Sequence, residues 1–498
     1  MITALILLLI FTPLIIAILL MSPLFSEEEN TLRKTSKIFA IFHLIISTIA
    51  LILFDFSNPI FKYETTFNWI PSIGINASFS IDAFSMLLCV LTSIIFALAV
   101  FSSQGMIKKS HRLYYSLIFF LQSAILGIFC AQDIFLFFLF WELELIPMYL
   151  LLLKWGSGNK QKTAMKFLLY TFFGSLFLLL GFLILYFHNF LSNGILSSNL
   201  NNIDTYLFPE KLKTCIFVLF LIGFGVKLPI FPLHSWLPDA HSQAPTPVSI
   251  LLSAILLKLG AYGLIKFNLA LFDDTFAQTA PIIMLFGVIN LIYASFCAVS
   301  QKDIKRIIAF SGVAHMGIFL IGLASLNRIG ITGAMFQIFS HALITTGLFI
   351  IAGIIYKKCG TKNILRLQGL GIKMPRLMFI SIPIILSAIG IPLLCSFIAE
   401  FLCFTSAFTL ESYVFLNAKI MTIIALSSII ICSVYILKIF HGIFFGELIE
   451  KYKQVVDANT NQLAILSIIA IYAIMFGCFP SLLTDIFSLY STNFAGVF

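Results

Sequence analysis

Residues 214–236, TCIFVLFLIGFGVKLPIFPLHSW, decide the fold of this chain. One cation, Lys227, stands fourteenth in a stretch otherwise free of charge, and Pro229 and Pro232 follow almost at once. An ionisable side chain at bilayer depth costs several kcal/mol, so it is typically kept for an ion or proton path. A proline-broken helix beside it frees backbone groups that survive only where protein or water satisfies them. The stretch therefore predicts an interrupted helix at a transport site. Glu142, Lys258 and Glu400 stand in apolar stretches in the same way.

Composition extends this reading to the whole chain. Of 498 residues 60% are hydrophobic and 10% charged, with a mean hydropathy of +1.07. A soluble domain carries roughly 25% charged residues, so this is a polytopic membrane protein. The net charge of +9 would suggest nucleic acid in a soluble domain; here it is loop charge, and no nucleic-acid partner is expected. Eight of the nine cysteines lie in apolar stretches, Cys359 alone is expected in a loop, and no C-x-x-C pair occurs. Neither a cluster, a zinc ribbon, a dinucleotide fingerprint nor a P-loop is signalled. No cofactor and no metal are expected in the chain.

A span needs about 20 apolar residues. The chain offers fourteen candidates: 2–21, 38–54, 80–101, 112–130, 133–153, 163–187, 213–237, 245–271, 279–298, 303–325, 331–356, 377–410, 415–442 and 462–490. The seventh and twelfth hold Pro or Gly-Ile-Pro interruptions, so discontinuous helices are expected there. The first lacks a basic leading region and an A-x-A-like site, and reads as a retained span. Lysines and arginines set the orientation. With the loop after the first span called side one, 22 cations fall on side one and six on side two (Lys62, Lys211, Lys213, Lys266, Arg328, Lys419). Lys227 and Lys258 lie within the membrane. Side one is thus cytoplasmic or its organellar equivalent.

Glu142 and Lys227 are 85 residues apart, as are His315 and Glu400. Five spans per unit invert a second copy relative to the first, which is the plan of many secondary transporters. The expected fold is all-α, with residues 1–111 carrying three spans, 112–271 a first five-helix repeat, 279–442 a second, inverted repeat, and 462–490 the last span.

The candidate site residues follow from this plan. Glu142 and Glu144, in 140-FWELELIP-147, lie about 200° apart round a helix and meet different neighbours. Glu142 is expected to pair with Lys227 and to control whether its amine holds a proton; the alternative is a static ion pair that fixes packing. Lys258 is expected to relay protons onward, with Gly260 and Gly263 admitting a close helix. His315 and His341 are candidate relays, since imidazole passes protons near neutral pH. His234 is a third; with His241 and Asp239 it makes too small a set for a metal. Glu400, after Gly390-Ile-Pro392, is expected to be the last protonatable station before the exit.

Three longer motifs, 141-WELELIPM-148, 226-VKLPIFPLHSWLPDAH-241 and 256-LLKLGAYG-263, resemble the antiporter-like membrane subunits of respiratory complex I, specifically the chain M (chain 4) type. 311-SGVAHMG-317 and 336-FQIFSHA-342 match too, and the likeness runs from about residue 80 to 445. The resemblance implies inverted repeats with discontinuous spans seven and twelve, and proton translocation through Glu142, Lys227, Lys258 and Glu400. It implies a NADH, NADPH or ferredoxin:quinone oxidoreductase whose NADH, FMN, iron–sulfur clusters and quinone bind other subunits. Chains of the L and N type would be neighbours, the peripheral redox arm an indirect partner, and a plasma or thylakoid membrane the location. Glu400 stands where chains L and N usually carry lysine. One departure is that Pro392 is followed by Leu-Leu-Cys-Ser-Phe, where the family usually has glycine and further small residues. A multisubunit cation/proton antiporter and the membrane subunit of a proton-pumping hydrogenase are the competing functions. A scaffold is disfavoured by the cost of four intramembrane charges.

Overall fold

The computed structural model describes residues 2–23, 28–57, 63–194, 196–410 and 417–497. Lys62 and the first two residues of the thirteenth expected span, 415–416, lie outside the described residues. Twelve helical segments among the described residues are long and apolar enough to cross a membrane. Two interrupted spans complete the fourteen: Glu210–Lys227 with Leu237–Gln243, and Pro375–Ile389 with Cys395–Phe408. Interruptions seven and twelve thus stand where the prolines and Gly390 put them. The Phe231–Pro232 peptide bond in the first of them is cis.

Several breaks go beyond expectation, each with a local cause. The fifth span is two helices, Ile134–Leu143 and Leu145–Trp155, parted at Glu144. Pro147 has no N–H to give the carbonyl of Leu143, so the ladder opens there. The eighth span, Thr246–Leu269, contains two π-helical turns, Leu252–Leu256 and Leu264–Leu269, on either side of Lys258. Such wide turns frequently mark functional positions. The last span divides at Phe479-Pro480 into Thr460–Cys478 and Ser481–Ser491. Cys359 is the final residue of the helix Arg328–Cys359 and is buried, not in a loop.

One element departs from the all-α expectation. Tyr63–Ile70 pairs antiparallel with Ile75–Ile81 across a short turn closed by Gly74 at φ +63°. The hairpin is tied down by Asp133, whose carboxylate accepts from Asn76 N at 3.3 Å and from Ser198 Oγ while capping Ile134–Leu143.

By packing, the chain forms two compact units, Met1–Leu228 with Leu257–Gln278, and Pro229–Leu256 with Thr279–Gly496. The chain leaves the first unit one residue after Lys227 and re-enters it one residue before Lys258. In the second unit the apolar windows of Ile304–Ala324 and Arg328–Cys359 are wholly buried. A helix apolar all round belongs at a centre, and these two form it.

Candidate functional site

In the first unit the Glu210–Lys227 helix ends on its own cation, where the helix dipole favours positive charge. Lys227 is 2% exposed and forms an ion pair with Glu144, itself fully buried. The ammonium also lies 3.8 Å from the centre of the Trp141 ring, whose face carries negative potential. This corrects the expected pairing. Glu142 is half-buried and borders an apolar groove lined by Phe135, Phe138, Leu139, Ile146, Leu168 and Phe172. The break at Glu144 turns that carboxylate, rather than Glu142, onto the lysine. Glu142 still contributes to the field at Lys227.

Lys258 is fully buried between its two π turns. The close approach expected of Gly260 is realised: a Cβ there would sit 2.6 Å from both Leu228 N and Phe224 O. Only glycine lets the Lys258 segment lie directly on the backbone that ends in Lys227.

In the second unit His315 and Glu400 come together, with Nε2 and Oε1 3.7 Å apart. His315 Nδ1 lies 2.8 Å from the Ser311 carbonyl oxygen, which only accepts. Nδ1 therefore carries a hydrogen, and Nε2 is the nitrogen left to exchange a proton with Glu400. The His341 ring centre is 5.5 Å from that of His315. Ser311, Gln337, Thr345 and Ser396 join the two histidines around a small cavity of about 10 Å³. Glu400 itself packs on the interruption, for a Cβ on Gly390 would overlap its Oε2. His234 belongs to an aromatic cluster in this unit, its ring centre 5.8 Å from Phe231 and 5.2 Å from Tyr293. His241 stacks on Phe349 at 4.9 Å.

Each unit thus holds a buried acid–base pair at a helix break: Glu144–Lys227 in the first, His315–Glu400 in the second. Glu144 in its pairing role, and the buried Lys305, are the residues that sequence reasoning missed. The only signal for Glu144 was Pro147, three residues on.

A multi-pass membrane protein with a charged interior is the class that this fold and these pairs define. Residues 131–427 match the model of the NADH:quinone oxidoreductase/Mrp antiporter transmembrane family. The NAD(P)H-quinone oxidoreductase chain 4 3 of Trichormus variabilis is 34% identical over 445 residues, 89% of this chain and 82% of that one. A chain 4 from Prochlorococcus marinus is 38% identical over 436 residues, 87% of this chain and 81% of that one. Among solved structures, a chain of respiratory complex I from Thermus thermophilus superposes with a TM-score of 0.87 at 24% identity, covering 99% of both chains. A chain of the Mrp complex from Dietzia sp. gives 0.85 at 18%, covering 98% of this chain and 97% of that one. The chain belongs to the NADH:quinone oxidoreductase/Mrp antiporter transmembrane family.

Proposed function

We propose that the chain is a proton-translocating membrane subunit of a NAD(P)H- or ferredoxin-driven quinone oxidoreductase. The observation that carries this is the pair of buried acid–base couples, one per unit, each set at a helix interruption. Buried ion pairs add little stability over apolar packing, so transport is the better reason for keeping them. When Glu144 sits against Lys227 the ammonium is held; when they part, the amine gives its proton up. Glu400 and Nε2 of His315 exchange one in the second unit, with Lys258 and His341 as intermediate stations and His234 as a further candidate.

In this reading electrons travel in other subunits, which hold NADH, FMN, the iron–sulfur clusters and quinone, while this chain carries no redox centre. Its neighbours in the bilayer are chains of the L and N type. The two inverted repeats, 112–271 and 279–442, are supported by a shared frame. Asp133 and Asp303 each cap a helix and each form an antiparallel bridge, to Asn199 and Asn363, and each asparagine in turn caps a 3-10 turn. The antiporter alternative shares the fold at 18% identity, whereas the relatives at 34–38% are quinone-linked.

The test is proton uptake by sealed vesicles carrying the intact complex, normalised to quinone reduced. Glu144→Gln and Glu400→Gln are each expected to lower it about tenfold or more. Wild-type coupling in both variants would reject the function. Sodium-driven exchange without quinone reduction would favour the antiporter.

A further inference from the structure

Lys305 plays no part in the couples above, and by position it counts as a solvated side-one cation. The structure buries it, with 2% of its surface exposed. It is the second residue of the helix Ile304–Ala324, whose cap, Asp303, accepts from Lys305 N at 2.8 Å and Arg306 N at 3.3 Å. The other Asp303 oxygen accepts from Ser242 Oγ at 2.7 Å. From there Lys305 reaches the bend between Leu237–Gln243 and Thr246–Leu251, donating to Ala244 O at 2.7 Å and Ser249 Oγ at 3.3 Å. The Ser249 hydroxyl donates onward to the carbonyl of His241 at 3.1 Å. Nearby, Lys362 donates to Ser242 O, and Arg306 pairs with Asp239 at 3.2 Å.

Two features separate Lys305 from a structural clasp. Both groups to which its ammonium donates are neutral, and a second lysine, Lys362, stands in its field, opposed by Asp303. An ammonium that donates to a carbonyl and a hydroxyl is not clamped by a carboxylate ligand, as Lys227 is by Glu144. Second, the shared frame does not need it: Asp303-Ile304-Lys305 corresponds to Asp133-Ile134-Phe135 at the other capped helix, where an apolar side chain serves.

We infer that Lys305 is the proton-accepting group at the side-one mouth of the second unit. Its neutral amine takes one proton from side-one water and, as ammonium, passes it inward along the helix that carries His315. Ten residues of helix put His315 about 15 Å further along the axis, an interval that the proposed route has to cross through bridging water or a further polar group.

The inference rests on the proton-pumping function, and the experiment separates the two. The intact complex in sealed vesicles is driven by its electron donor between about pH 6 and about pH 9, a range that brackets amine exchange. Proton uptake per quinone reduced is measured for wild type, Lys305→Arg and Lys305→Met. Arginine keeps the charge and can cap Ala244 O, but it does not release its proton. Both variants are expected to lose uptake about tenfold. Lys305→Arg with wild-type uptake and pH profile would reduce Lys305 to a clasp and overturn the inference alone. A wild-type complex that builds no proton gradient would remove the inference and its foundation together. If neither variant assembles, Ser249→Ala decides. Loss of one neutral acceptor weakens proton binding, so the alkaline limb of uptake moves to lower pH by about half a unit or more. An unmoved limb overturns the inference.

Discussion

Two carboxylates two residues apart, Glu142 and Glu144, divide their work by burial. Glu144 holds Lys227 in the interior, and Glu142 looks toward an apolar groove. A double-mutant cycle on complex stability measures the division. Glu144→Gln with Lys227→Met is expected to show about 2 kcal/mol of coupling, and Glu142→Gln with Lys227→Met less than about 1 kcal/mol. Equal couplings would mean that the carboxylates share the lysine. Sequence spacing showed that the two face different ways but not which way each faces, because Pro147 opens the helix by an amount that periodicity does not encode. Gly390 is more direct. Its φ of +82° and its contact with Glu400 both exclude a side chain. Gly390→Ala is expected to displace the carboxylate and to cost about 2 kcal/mol, read as a lower Tm together with a loss of proton uptake. In the same interruption Leu393 adopts φ +70°, near the place where the family usually has glycine. At the departure noted in the sequence, this chain thus places a leucine in the left-handed conformation.

Among elements, the interruptions were the most legible, since Pro229, Pro232 and Gly390-Ile-Pro392 state them outright. The π turns around Lys258 were not, because no proline or glycine within them states a break; between them Gly260 packs on the backbone of Phe224 and Leu228. Gly260→Ala tests that packing. A Cβ pressed on the backbone of Phe224 and Leu228 is expected to cost about 3 kcal/mol and to abolish uptake even where the complex assembles. The β-hairpin was missed because its strands lie largely in what hydropathy reads as the loop between the second and third spans. Its anchor, Asp133, offers a pH test. Burial holds this carboxyl above its ordinary range despite its hydrogen bonds. The folded chain therefore binds the proton more tightly than the unfolded one, and the associated stability is lost as pH rises through the folded value. Asp133→Asn is expected to flatten the fall in Tm on going from mildly acid to neutral pH. Asp133→Ala is expected to cost about 2 kcal/mol throughout, from the lost cap and bridge. A steeper profile in Asp133→Asn would reverse the sign.

At the scale of the whole molecule, composition was enough to set the class and the spans. The orientation came from loop cations, and that tally also hid Lys305, because position near a span end is taken for exposure to water. The partition into units was not legible. Repeats are found by comparing a chain with itself, whereas compact units follow contacts, and the expected repeats do not share the units' boundaries.

One consequence of that partition concerns inheritance. Because the 28 residues 229–256 pack with the later part of the chain while their flanks pack with the earlier part, no single cut in the gene separates the two units. A split in the loop after residue 271 would strand this segment on the wrong fragment. Fission of the gene at any one point should therefore yield pieces that mature only when made together, and the two units are held to descend as one.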